Sequence, residues 1–248
     1  ASLAAPLADP AGRHPDYLAV CAAFRPPLTA TSTQYLRALV APGGGGGVSA
    51  LAAQPVAYAR LLHLVLRCDP CGEEGRMAAH GEFLGGLVSA NAVFCENVVE
   101  AYVRMAMETD AEEEEDGGDR RMAHVHAQLR ALTVSTPRAS AALLALLSAR
   151  APHVSSPGDA LVRYCGRALE LARAHVPAGG EAVLEHVLRR AVEVDVEIEL
   201  GGEDAGSGDE GAVEPQKSMA DKLDGLMLLL FRHVTPPSAA HPVPAPPC

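Results

Sequence analysis

The amino-acid sequence predicts an all-α protein, an α-solenoid of antiparallel helical pairs, and three observations carry that reading. Apolar residues make up 48% of the chain while aromatics make up only 4% and Trp is absent. The apolar mass is therefore Ala, Leu and Val, and sheets draw more on aromatic and Ile-rich strands. From Val48 onward the apolar residues recur at helical spacing, and no segment alternates like a strand bounded by turns. The helical stripes are separated by short connections, which place successive helices antiparallel.

The stripes run in order along the chain. Tyr58, Leu61, Leu62, Val65 and Leu66 form one, ended by Pro70 and Gly72. Phe83, Leu84, Leu87 and Val88 open the next, and Phe94, Val98, Tyr102, Met105 and Ala106 a third. Met122, Val125, Leu129 and Leu132 make a fourth, and Leu143, Leu144, Leu146 and Leu147 a fifth that Pro152 stops. Leu161, Cys165, Ala168, Leu169 and Ala172 share one face of a sixth. Leu184, Val187, Leu188 and Ala191 give a seventh; Met219, Leu223, Leu226, Met227, Leu230 and Val234 give an eighth. Pairs recur every ~40–50 residues, the period of HEAT-type helical repeats, and each stripe is too broad to leave in water. Stacked HEAT-like pairs are thus favoured over a compact bundle. Two starts carry capping chemistry: Thr136-Pro137, and Ser156-Pro157-Gly158-Asp159, where Ser156 offers an N-cap hydroxyl and proline the first helical position.

Three regions are expected. Residues 1–47 read as a poorly structured N-terminal region, with short helices at Pro15–Phe24 and Ser32–Val40 and a flexible linker at Gly43–Gly47. Residues 48–234 form the helical-repeat domain, and 235–248 a Pro-rich tail. The net charge of −11 is local: eight acids fall in Glu108–Asp119 and five in Glu203–Glu214, with no Lys or Arg in either run. Setting those thirteen of 31 acids aside leaves 18 against 20 basic residues, a nearly neutral body. The two runs, 108–119 and 201–215, are expected to be irregular, solvated loops.

The same counts exclude several functions. Phosphate neutralisation needs clustered Lys and Arg, and the chain has two lysines, Lys217 and Lys222, so direct sequence-specific DNA binding is not expected. No uncharged apolar run reaches the ~18 residues of a membrane span, and no signal-peptide pattern opens the chain. A soluble intracellular protein with no membrane partner is expected, and the start at Ala1 suggests a fragment. The six cysteines are scattered through apolar helical pattern, as buried reduced thiols are. Cys68-Asp-Pro-Cys71 has metal-ligand spacing, but a closed zinc site needs four ligands and there is no second pair. His124 and His126 point to different helix faces, and Asp221 and Asp224 bracket an apolar run as exposed flanking charges. No nucleophile elbow, zinc-helix or phosphate-loop pattern is present. The expectation is no catalytic residue, no cofactor and no metal.

Several ordered segments resemble one family. Phe83-Leu-Gly-Gly-Leu-Val-Ser-Ala90, with the apolar helix Val93–Met107 behind it, is similar to a "Leu-Gly-x-Leu-Val-Ser-Ala" helix of the RNA polymerase I-specific transcription initiation factors of the TIF-IA type. Val134-Ser-Thr-Pro-Arg138 resembles the Pro-Ser-Thr-Pro-Arg loop of animal members. Val183–Val196, closing on Val194-Asp195-Val196, resembles a Leu-rich helix ending in "Leu-Asp-Val", and Gly201–Glu214 stands where the family carries an acidic insertion. Ala220-Asp-Lys-Leu-Asp-Gly-Leu-Met227 is similar to "Ala-Glu-Arg-Leu-Asp-x-Leu-Met". Together these cover roughly residues 58–234; the N-terminal region and Pro236–Cys248 match nothing in the family pattern, and its C-terminal half is missing.

The resemblance implies a HEAT-repeat scaffold that binds RNA polymerase I and brings it to the promoter-bound selectivity (core) factor at ribosomal RNA genes, in the nucleolus. A generic helical-repeat adaptor and a small-molecule-binding bundle are the competing readings, and a homodimer stays open. The resemblance also places a phosphorylation-sensitive loop at Ser135 and Thr136. Thr136-Pro137 fits the pattern of proline-directed kinases, although Thr136 as N-cap and Pro137 as first helical residue explain the same dipeptide without a kinase.

Overall fold

Thr29 begins the first well-capped helix by a reciprocal pair of bonds. Ser32 N–H donates to Thr29 Oγ1 at 3.3 Å, and Thr29 N–H donates back to Ser32 Oγ at 2.7 Å. Two otherwise orphaned amides are satisfied at once. The helix that follows, Ala30–Val40, is α2; Pro15–Ala23 before it is α1. These belong to a computed structural model that describes residues 15–24, 28–41, 47–70, 74–108, 115–156, 159–176, 179–204 and 213–234.

The order continues with α3 (Gly47–Ala53), α4 (Ala59–Arg67), α5 (Glu74–Ala90), a 3-10 turn (Ala92–Phe94) and α6 (Cys95–Met107). Then come α7 (Glu115–Ser135), α8 (Pro137–Ala149), α9 (Ala160–His175), α10 (Gly180–Asp204) and α11 (Val213–Val234). All regular structure among the described residues is helical. The helices α1 and α2 lie where the short N-terminal helices are expected, yet that region is better built than the sequence suggests. Tyr17, Val20, Cys21, Phe24, Leu28, Leu36 and Leu39 are all buried, and α2 packs on α5. Few charges and frequent prolines made this stretch read as loose, whereas its apolar residues have a neighbouring helix to cover them.

Other boundaries differ as well. Of the five-glycine linker, Gly47 is the buried first residue of α3, and a Cβ there would stand 2.9 Å from Leu39 Cδ2. Glycine permits that close approach to α2; residues 43–46 lie outside the described residues. The acidic runs are not wholly irregular, because α7 takes in 115–119, α10 extends to Asp204, and α11 starts at Val213. Acids in a first turn favour the helix dipole, and Pro215 is tolerated there because its missing N–H has no helical partner. Residues 109–114 and 205–212, and the Pro-rich tail 235–248, lie outside the described residues.

The chain forms two compact units, residues 1–146 and 147–248. In the first, α5 is the hub: it packs against α2, α3, α6 and α7. Phe83, Leu84 and Leu87 of α5 are fully buried, and each such side chain contributes about 1.5–3 kcal/mol. In the second unit α9, α10 and α11 pack on one another. Tyr164 on α9 donates its hydroxyl to the Leu147 carbonyl at 2.8 Å, satisfying the end of α8. The buried stripe of α10 is Val183, Val187, Ala191 and Val194, and that of α11 is Lys222, Leu226 and Leu230. Leu188, Met227 and Val234, expected in the core, are exposed, together with Val192, Leu228 and Phe231.

Candidate interaction edge and regulatory loop

Antiparallel helices put alternate connectors at the same end, and two contacts show this for the first unit. Asn91, at the end of α5, accepts from Val93 N–H at 3.1 Å and donates from Nδ2 to the Ala52 carbonyl, also at 3.1 Å. It thereby caps the 3-10 turn and ties the α5–α6 connector to the end of α3. Arg138, in the first turn of α8, pairs with Glu96 in the first turn of α6 at 2.6 Å. The connectors after α3, α5 and α7 therefore share one edge.

That edge is unusual in what it exposes. Val56, Val93 and Val134, one from each connector region, have 89%, 68% and 81% of their surface in solvent. An apolar side chain that open gains nothing from folding. The Arg138–Glu96 pair beside them is 62% and 60% exposed, and such pairs contribute only about 0–1 kcal/mol. The edge is thus a weakly held, partly apolar rim on a well-packed body.

Ser135 and Thr136 lie in the middle of it. Ser135 is the last residue of α7, Thr136 the single residue between α7 and α8, and Pro137 the first of α8. The Thr136 carbonyl accepts from Ala139 N–H at 2.9 Å, which opens α8 as an N-cap carbonyl does. Its hydroxyl has a different neighbour, Ser135 Oγ at 3.5 Å, while Ser135 Oγ donates to the Leu132 carbonyl at 3.3 Å. Thr136 therefore sits at the helix start as the sequence indicates, with its hydroxyl turned to Ser135. Arg138, two residues on, is held by Glu96.

The opposite edge is built of buried polar groups. At the end of α4 the Val65 carbonyl accepts from His80 Nε2–H of α5 at 3.1 Å, and the Leu66 carbonyl accepts from Arg104 Nη2 of α6 at 2.8 Å. Arg121 of α7 pairs with Asp69 just beyond the same helix end. Three helices thus supply donors and positive charge to the C-terminus of a fourth, where carbonyls lack helical partners. His80 is fully buried; desolvation, opposed by its bond to Val65, lowers its pKa from 6.5 to about 4 and keeps it neutral. The Tyr102 and His124 rings meet edge-on beside it, 6.2 Å apart. None of these groups was legible as a cluster in the sequence, because they come from separate segments of the chain that only the packing brings together.

The described cysteines, Cys21, Cys68, Cys95 and Cys165, are free and buried. Cys68 Sγ donates to the Phe24 carbonyl at 3.1 Å, and burial pushes its thiol up to about 12. Cys165 is pushed up to about 11 by the same cause. Thiols held protonated are poor nucleophiles and poor ligands. Cys71 lies outside the described residues. Asp221 and Asp224 are exposed on α11 as expected, and His124 and His126 are both half-buried on α7.

Against this geometry, the family of RNA polymerase I specific transcription initiation factor RRN3 matches residues 46–216, more than half of the chain. The chain belongs to that family. The matched stretch begins just before α3 and ends within α11, so it contains both the exposed connector edge and the Ser135–Thr136 loop. No curated protein and no solved structure matches the chain.

Proposed function

We propose that this chain is a non-enzymatic scaffold that binds RNA polymerase I and brings it to the promoter-bound selectivity factor at ribosomal RNA genes, acting in the nucleolus. Family membership is the observation that carries this reading. The packing supports a HEAT-like solenoid as its frame: helices pack on neighbours one to three positions away in the chain, as quasi-one-dimensional repeats do. The polymerase-facing surface in this reading is the connector edge of Val56, Val93 and Val134. Exposed apolar groups on a rigid scaffold supply burial on binding at little ordering cost.

Thr136 is the regulatory residue of the same surface. A phosphate there adds about −1.5 to −2 charges at a helix start beside exposed Val134, and it competes with Glu96 for Arg138. Charge set among apolar contacts weakens docking. The test is polymerase I capture by Val93→Asp, Val134→Asp, Thr136→Asp and Thr136→Val chains with unchanged helix content. The three acidic variants are expected to lose capture at least tenfold and Thr136→Val to keep it. Full capture by all four, as folded proteins, would remove the edge from the account.

A further inference from the structure

We propose that Ser156 is a phosphorylation site and that the buried ammonium of Lys222 receives its phosphate. Lys222 lies on the buried stripe of α11, only 5% exposed. Its Nζ donates to the Ser156 carbonyl at 2.6 Å and to the Val154 carbonyl at 3.2 Å, and it stands 3.6 Å from Met219 Sδ. Among the described residues these partners are all neutral; no carboxylate meets this lysine. Carbonyl dipoles only partly replace the water that a buried cation has given up. Its three N–H groups are given to these neutral acceptors, and its positive charge has no counter-ion among the described residues.

Ser156 is open to modification in three respects. Pro157 follows it, the dipeptide that proline-directed kinases require. It lies beyond the end of α8, among residues 151–156 that belong to no helix, with Ser155 exposed and Ser156 half-exposed. It is also not the helix cap that the sequence suggests. The residue at the N-cap of α9 is Asp159, whose carboxylate pairs with Arg163 at 3.3 Å, so the Ser156 hydroxyl is not needed to hold the helix start. In the reaction Ser156 Oγ attacks the γ-phosphorus of a nucleoside triphosphate. The Oγ–P bond forms as the β,γ-bridging P–O bond breaks. The hydroxyl proton passes to the kinase base, and a nucleoside diphosphate leaves. The product's oxygens are strong acceptors on the residue whose carbonyl Nζ already meets, and by taking the place of that carbonyl they turn a lysine held by neutral acceptors into an ion pair joining α11 to the segment after α8.

The experiment has two arms on the 248-residue chain. In one, a proline-directed kinase and ATP act on the wild type, Ser155→Ala and Ser156→Ala, with sites mapped by mass spectrometry. Incorporation that survives Ser155→Ala and vanishes in Ser156→Ala is expected; incorporation unaffected by Ser156→Ala, or none, overturns the proposal. In the other, phosphoserine is installed genetically at 156 and followed by phosphorus NMR. Lys222 is expected to pull the second phosphate ionisation below its usual ~6 and to raise Tm by about 2–4 °C. Both shifts disappear in Lys222→Gln and persist in Lys222→Arg. An ionisation at the ordinary value in the wild type, or the same shift in Lys222→Gln, overturns the proposal. Should Lys222→Gln fail to fold, the wild-type titration alone decides.

Discussion

Mild acid should destabilise this protein through His80, and the structure sets both the direction and the size of the effect. The imidazole is wholly buried between α4 and α5, donates Nε2–H to the Val65 carbonyl, and has its pKa lowered from 6.5 to about 4, chiefly by desolvation. The charged groups facing it offset one another only in part: Asp69 favours the imidazolium, while His124 and Arg104 disfavour it. The unfolded chain takes up a proton below about 6.5 and the folded chain does not until about 4, so stability is complete above 6.5 and is lost as the pH falls across that window. At about 1.36 kcal/mol per pH unit the whole window is worth about 3 kcal/mol, and about 2 kcal/mol is gone by about pH 5. His124 and His186, both lowered by burial, add in the same direction. Urea unfolding followed by circular dichroism at about pH 7 and about pH 5 measures the loss. His80→Gln keeps an N–H for Val65 and does not titrate, so its loss between the two pH values should be smaller by about 2 kcal/mol. Equal losses in wild type and His80→Gln would mean that His80 does not carry the acid sensitivity.

Three further outcomes follow from packing. Leu226→Asp places an unpaired carboxylate at a fully buried position of α11 and should cost about 3–5 kcal/mol, seen as a large drop in Tm; an unchanged Tm would show that α11 is not docked. At Gly225 a Cβ would stand 2.9 and 3.0 Å from the two methyls of Val162, a stiff β-branched side chain. Gly225→Ala should therefore destabilise by about 1–2 kcal/mol despite better helix propensity, and Val162→Ala should relieve it in a double-mutant cycle. At Gly81 the clash is with the end of the Gln128 side chain, at 2.7 Å from Nε2, which can swing away; Gly81→Ala should be the milder of the two in the same urea assay.

Those sites also show what the sequence could tell and what it could not. Helices α4 to α9 were legible because their apolar residues mark one face: every residue of the Leu161, Cys165, Ala168, Leu169, Ala172 stripe is buried. In α10 and α11 the helices were legible but the phase was not. Leu188, Val192 and Val196, and Met227, Leu228 and Phe231, put apolar groups on a second, exposed face. A two-faced helix has no clean periodic signal, so Lys222 was passed over although it lies in register with Leu226 and Leu230. The Ser135–Thr136 turn was legible from proline chemistry, since Pro137 must begin a helix or break one. The valine edge and the His80, Arg104 and Arg121 convergence were not. Both depend on which helix ends meet, and tertiary contacts such as Asn91 to Ala52 and Arg104 to Leu66 decide that.

A polymerase I scaffold must capture the enzyme from nuclear extract. The 248-residue chain, immobilised and incubated with extract, is read by quantitative mass spectrometry. Enrichment of RNA polymerase I subunits over those of the other nuclear polymerases is expected, with the Val93→Asp, Val134→Asp chain as the folded control that loses them. No enrichment by the wild-type chain would rule out the scaffold role, and equal capture by the control would move the polymerase-binding surface away from the valine edge.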